Sequence, residues 1–116
     1  MKFSILSLIS VCFLATSCHN EKAITITSND YCAAVDTVTG IMVHDIFSPP
    51  VASRIYVYPN VAAYEIMVQN SNEYQSLQGQ LKGLDSIPVL DPKSGVNVPL
   101  AALIAQMEVS KKLVFS

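Results

Sequence analysis

The spacing of apolar residues changes several times along this chain, and each change marks a different element. Ile5 to Leu14 is an almost unbroken apolar run behind a lone cation, Lys2. Ile24 and Ile26 alternate with Thr25 and Thr27 at the period of a strand, in a stretch short enough to be a linker instead. From Tyr31 to Phe47 the spacing turns helical. Val35, Val38, Met42 and Ile46 form one stripe, with Asp36, Gly40 and His44 on another face. Asp30 is placed to cap this helix through its carboxylate, while Gly40 and the β-branched threonines lower its propensity. Ser48-Pro49-Pro50 then ends it and starts the next. Serine suits an N-cap, and proline costs nothing at the first helical position, where its missing N–H has no partner to lose.

Val51 to Gln69 is the most helical stretch. Val51, Ile55, Tyr58, Ala62 and Ile66 form a stripe that Ala52, Tyr56, Ala63 and Met67 widen, which predicts a helix buried on most sides. Pro59 is expected to kink or break it near Tyr58. Tyr74, Leu77, Leu81 and Leu84 fit a short amphipathic helix weakened by Gly79 and Gly83. Pro88, Asp91-Pro92 and Ser94-Gly95 mark a loop. A last helix starts near Asn97 or Pro99, with Leu100, Leu103, Ile104, Met107 and Val114 facing inward and Glu108 paired with Lys112 outside. No stop signal follows it, so a longer parent chain is expected. The pattern therefore predicts an all-α fold, a partial bundle of about four helices over residues 30–116, after a leader over 1–18 and a tether over 19–29.

The leader has the order of an exported bacterial protein: a cation, a short apolar core, then small residues. Ala15-Thr16-Ser17-Cys18 resembles the lipobox of bacterial lipoproteins, although Leu14 lies one place further out than the usual leucine. The resemblance implies that Cys18 is diacylated and becomes the new N-terminus. Two acyl chains suffice for stable anchoring, so membrane lipid is the expected partner and the cell envelope the expected location. The rival reading is an ordinary secretory signal with Cys18 incidental.

Composition narrows the classes further. A chain of 116 residues holds one domain at most. It is 51% hydrophobic and only 14% charged, with mean hydropathy +0.40, part of which belongs to the leader. The net charge is −2 and the only adjacent basic pair is Lys111–Lys112, so no nucleic-acid partner is expected. Cys12 leaves with the leader and Cys18 would be acylated. Cys32 is then left without a disulfide partner, and among alanines it reads as a small buried filler rather than a reactive thiol.

The chain carries little catalytic chemistry of its own. His19 lies in the tether, and no Cys or His pair has metal-ligand spacing. There is no GxSxG elbow, and Asp91-Pro92-Lys93-Ser94-Gly95 lacks the pattern of a phosphate loop. His44–Asp45 could be proposed as an acid/base pair, but adjacent helical residues do not face each other. A solvent-facing histidine near a helix C-terminus is the preferred reading. Arg54 and Glu65 are eleven residues apart and share a face of an unbroken helix. The helical rise separates them by about 16 Å, too far to pair. Each sits in an apolar helix and needs a buried partner or a route to solvent, so each is read as a structural ion-pair position.

Val43-His44-Asp45-Ile46-Phe47-Ser48-Pro49-Pro50-Val51-Ala52-Ser53-Arg54-Ile55-Tyr56, followed by Ala62-Ala63-Tyr64-Glu65, resembles the N-terminal helical region of vanadium-dependent haloperoxidases and type-2 phosphatidic acid phosphatases. In that family a Ser-Pro-Pro turn leads into an arginine-bearing helix. Tyr74-Gln75-Ser76-Leu77 with Leu81, and Lys112-Leu113-Val114-Phe115, look like its exported, lipid-anchored members in Bacteroidetes-like bacteria. The resemblance spans residues 30–116. It implies a helical bundle whose site binds phosphate or vanadate through lysine, arginines and histidines, in a phosphatase or haloperoxidase.

The family's catalytic motifs are a Lys followed by Arg-Pro, a Pro-Ser-Gly-His, and a Ser-Arg with downstream His and Asp. None of them occurs in this chain, and Arg54 is not followed by proline. No catalytic, cofactor-binding or metal residue is therefore carried over. Arg54 and Glu65 match scaffold positions at most, and vanadate would belong to a full-length parent. The expectation is an N-terminal scaffold segment, inactive alone, whose apolar stripes await C-terminal helices. The alternative is a complete small helical envelope lipoprotein that uses those stripes to bind a protein partner.

Overall fold

A computed structural model describes residues 23–91 and 93–114. The expected leader, Cys18, and the beginning of the tether lie outside the described residues. Helix α1 is Ser28–His44, α2 is Pro49–Val68 and α3 is Val98–Leu113. The all-α class is as expected, with three helices where about four were predicted. No strand forms among the described residues, and Ile24 to Thr27 are irregular.

Helix α1 begins earlier than its apolar stripe indicates. Thr27, not Asp30, holds the cap position, and Asp30 closes the reciprocal arrangement of a capping box. The Thr27 N–H and hydroxyl both donate to Asp30 Oδ2 at 2.7 Å. The helix also ends earlier than expected. Ile46 has φ 55°, the left-handed region, and the Phe47 N–H reaches back to the Met42 carbonyl at 3.1 Å. This is the Schellman closure, with isoleucine where glycine is usual. Ile46 therefore leaves the buried stripe it was assigned to and stands 88% exposed. Phe47 takes its place, packing against the cluster of Val38, Met42 and Ile55.

Ser48 occupies the N-cap of α2 and Pro49 follows at its start, as expected. Helix α2 runs through Pro59 without a break. The Pro59 ring is fully buried, and having no N–H it gives the Ile55 carbonyl, four residues back, no helical donor. The main packing joins α2 to α3, and α1 touches α3 more sparingly. Ile55, Pro59 and Ala63 on α2 are buried, as are Ala102, Gln106 and Ser110 on α3. Both sets repeat every four residues, and small side chains let two helix axes approach closely. The Ser110 hydroxyl is satisfied by the Gln106 carbonyl of its own helix at 2.8 Å. Gln106 Oε1 is buried with no donor among the described residues.

The structure corrects three expectations here. Ile104 and Met107, assigned inward, are 51% and 45% exposed, because the face of α3 that carries Ala102, Gln106 and Ser110 is buried instead. Helix α2 is not buried on most sides either: Val51, Val57, Tyr58 and Met67 keep a third or more of their surface. Glu108 pairs with Lys111 at 3.0 Å rather than with Lys112. Helix α3 stops at Leu113, where Val114 turns extended and joins the core with Leu113.

The amphipathic helix expected from Tyr74 to Leu84 does not form. Gly79 and Gly83 adopt φ 73° and 86°, which a right-handed helix cannot contain. The segment folds into successive turns instead, with the Gly79 N–H on the Leu84 carbonyl at 2.9 Å and the Gln80 N–H on the Leu77 carbonyl at 2.9 Å.

Ile46→Gly is expected to raise stability by about 1 kcal/mol, because a left-handed β-branched residue is strained and this side chain buries little. Urea denaturation checks it, and a loss of stability would mean that the Ile46 side chain has a packing role. A second expectation concerns acid. The Thr27 backbone and side-chain hydrogen bonds hold Asp30 below its ordinary 3.8. Since the folded value is the lower one, the cap's contribution is complete above pH 3.8 and is lost as pH falls through the depressed value. Titration of the Thr27 amide resonance should show this limb in the native chain and not in Asp30→Asn.

Candidate functional site

The polar side chains that organise this structure lie on the last turns of α2. Glu65 is only 3% exposed. Its Oε1 accepts from the Leu77 N–H and its Oε2 from the Ser76 hydroxyl, both at 2.7 Å. One turn on, Gln69 Nε2 donates to the Pro88 carbonyl at 3.0 Å, and its Oε1 accepts from the Leu90 N–H at 2.8 Å. The Tyr64 hydroxyl donates to the Gln75 carbonyl at 2.7 Å. Tyr64, Glu65 and Gln69 pin the irregular segment between α2 and α3 at 75–77 and again at 88–90.

Asn97 fixes the far end of that segment. Its Oδ1 accepts from the Leu100 N–H as the cap of α3, and its Nδ2 donates to the Ile24 carbonyl at 2.7 Å. The residues before α1 are thus tied to the start of α3.

Helices α1 and α2 are joined by a separate polar set. The Tyr31 hydroxyl donates to Asn60 Oδ1 at 2.5 Å, and Asn60 Nδ2 donates to the Tyr56 carbonyl at 2.6 Å. Burial pushes the Tyr31 phenol above its ordinary 10.0, which keeps the donor proton in place. The Thr39 and Tyr56 hydroxyls meet at 2.8 Å.

Two concave surfaces flank α2. One, about 400 Å³, is lined by Glu65, Val61, Ile66, Leu84, Ile87 and Ala105, with Tyr58 on its wall. The other, about 520 Å³, lies between the starts of α1 and α3 and includes Tyr31, Cys32, Asn60, Tyr64 and Met67. Cys32 is exposed there, which corrects its reading as a buried filler. The helix turns its Val38–Met42 face to the core, so the alanines beside Cys32 do not cover it.

The residues singled out from sequence are not brought together. Arg54 is exposed and Glu65 buried, and the ion pairs among the described residues are His44–Asp45 and Lys111–Glu108. Neither Arg54 nor Glu65 is in an ion pair there, and Glu65 is met by neutral donors instead. His44 and Asp45 do face each other, at 2.9 Å from Nδ1 to Oδ1. Asp45 is the C-cap, with φ −83° and ψ 0°, at the point where the helix ends. His44 is 83% exposed and the contact is local. Asn97 is expected from sequence as a start of the last helix, but the anchoring roles of Tyr64 and Gln69 are not. The available signal was the i, i+4 spacing of Glu65 and Gln69 on an otherwise apolar helix.

Among the described residues no group of three or more His, Cys, Asp or Glu could hold a metal ion, and no helix is long and apolar enough to cross a membrane. In comparisons with known proteins, the chain matches no family model, no curated protein and no solved structure.

Glu65→Ala should cost about 3 kcal/mol in urea denaturation, since two hydrogen bonds to a charged group are lost and two donors are left dry. Glu65→Gln should cost less, because an acceptor remains. Hydrogen exchange at the Leu77 amide should accelerate in both, and most in the alanine variant. Unchanged exchange would show that the segment is held by other contacts.

Proposed function

We propose that residues 30–116 are the N-terminal helical scaffold of an exported, lipid-anchored phosphatase- or haloperoxidase-like protein, with the phosphate- or vanadate-binding chemistry supplied by other segments of a longer parent. The observation that carries the reading is α2. The Ser-Pro-Pro motif and the Ala62-Ala63-Tyr64-Glu65 motif fall on a single continuous helix, the first at its cap and the second at its buried end. Glu65 there serves the fold, holding Ser76 and Leu77, as suits a scaffold position. Val57, Tyr58, Ile104 and Met107 remain near half exposed on α2 and α3, the surface that further helices of a bundle would cover. Those same side chains also suit the second reading, a small envelope lipoprotein with a protein partner.

On the scaffold reading, the purified chain lacking its first eighteen residues shows no phosphate-ester hydrolysis and no peroxide-dependent bromide oxidation with added vanadate. Turnover that disappears in His44→Ala would overturn it. The mass of the native species in the membrane fraction separates the two readings: well above 12.6 kDa for the scaffold, and close to the leader-less chain plus acyl groups for the small lipoprotein. Cys18→Ala should release either species from the membrane.

A further inference from the structure

We infer that residues 86–91 form an open strand edge, and that its occupant is the same edge of a second copy of this chain, paired antiparallel about Val89. The inference stands on the segment between α2 and α3, and holds whether or not the scaffold reading does.

The first argument is backbone geometry. Residues 84–91 carry no turn, bend or helix. Through one amide, Gln69 bonds the Pro88 carbonyl at 3.0 Å and the Leu90 N–H at 2.8 Å. In extended backbone the polar groups of alternate residues point to the same edge. Pro88 and Leu90 therefore turn toward Gln69, and Ile87 and Val89 turn the other way. Among the described residues, neither Ile87 nor Val89 has a hydrogen bond on its N–H or its carbonyl. Pro88, which has no N–H, lies on the occupied edge, so the open edge lacks no donor.

The second argument is exposure. Val89 is 88% exposed. Ile46 is equally exposed, but the closure of α1 accounts for it. No contact within the chain covers Val89 in the same way. A bare edge with a large apolar side chain at its centre is a template for another strand.

The third argument selects the occupant. An antiparallel pair centred on Val89 sets Val89 opposite Val89, and Ile87 opposite Asp91 of the second copy. The two Val89 residues exchange two hydrogen bonds, and each Asp91 N–H reaches the opposite Ile87 carbonyl. The ladder stops there. The Asp91 carbonyl already accepts from the Ser94 N–H at 3.0 Å, and the Asp85 carbonyl from Gln78 Nε2 at 2.9 Å. The same register places Asp85 opposite Lys93 of the second copy, twice by symmetry. Both side chains are exposed, and neither is in an ion pair among the described residues. A register shifted by two residues would set Asp85 against Asp91, and like charges directly opposite each other destabilise. Charge thus favours a copy of this chain in one register.

The test is sedimentation equilibrium on the whole chain, with disulfide trapping beside it. The native chain should reach a two-chain mass as concentration rises. Val89→Pro removes an N–H that the monomer does not use, and should raise the dissociation constant about thirtyfold, for two hydrogen bonds lost. Val89→Thr, which keeps the N–H and the branch, should dimerise as the native chain does. Lys93→Glu should weaken the dimer about fivefold, and adding Asp85→Lys should restore it. For trapping, Cys12, Cys18 and Cys32 are replaced by serine. In that background Val89→Cys should form a covalent dimer with oxidised glutathione, because paired Cα atoms about 5.5 Å apart lie within disulfide reach. Ile46→Cys, at an equally exposed site, should not. A one-chain mass at every concentration overturns the proposal. So does a dimer that Val89→Pro leaves unchanged, or trapping as efficient through position 46 as through 89.

Discussion

Backbone that is neither helix nor strand carries donors and acceptors with no regular partners, and where it lies against a helix pair those groups must be met one at a time. Between α2 and α3 the chain runs from Gln69 to Asn97 in this condition. The solution is concentrated on the last turns of α2. The Glu65 carboxylate meets a backbone N–H and a hydroxyl, and the Gln69 amide meets a carbonyl and an N–H two residues apart. An amide side chain used this way replaces a neighbouring strand. Without these contacts the segment keeps the Tyr64 hydroxyl on the Gln75 carbonyl and its own turns, among them those around Gly79 and Gly83.

The position of α3 follows from the same contacts. Leu84 and Ile87, held over α2 by the pinned segment, border one cavity together with Ala105 of α3. Asn97 then caps α3 while holding the Ile24 carbonyl, so the start of α3 is tied to the start of the structure. Within that frame the helix pair closes through Ile55, Pro59 and Ala63 of α2 and Ala102, Gln106 and Ser110 of α3, all buried. Close approach uses the narrow face of α3, and this leaves Ile104 and Met107 outside. The exposure of large apolar groups is therefore a consequence of which face packs most closely, not of an absence of apolar pattern.

What sequence made legible was local. The Ser48-Pro49-Pro50 junction, the long α2, the loop after Ser86 and the start of α3 near Asn97 are all decided by residues within a few positions, and all are found. What it did not make legible was decided elsewhere in the chain. Ile46 belongs to the stripe by spacing, yet the closure of α1 onto Phe47 ejects it. Leu77, Leu81 and Leu84 have helical spacing, yet the glycines between them turn left-handed while Glu65, twelve residues before Leu77, takes the Leu77 N–H. Periodicity cannot register a carboxylate competing for a backbone donor at that separation. The pattern marks Glu65 as a charge in an apolar helix that needs a buried partner or a route to solvent, and reads that partner as ionic; the partners found are neutral.

The two charges of α2 show how position along one helix decides the fate of a group. Arg54 and Glu65 lie on one side by spacing, but the segment after α2 covers only the end where Glu65 stands. A guanidinium left in water costs nothing, so Arg54 needs no partner. A carboxylate covered by a loop must be satisfied, and neutral donors do this incompletely. In a chain with only 14% charged residues such a group is not diluted by neighbours of either sign. The same two hydrogen bonds that fix the loop therefore also set where on α2 a charge can be buried.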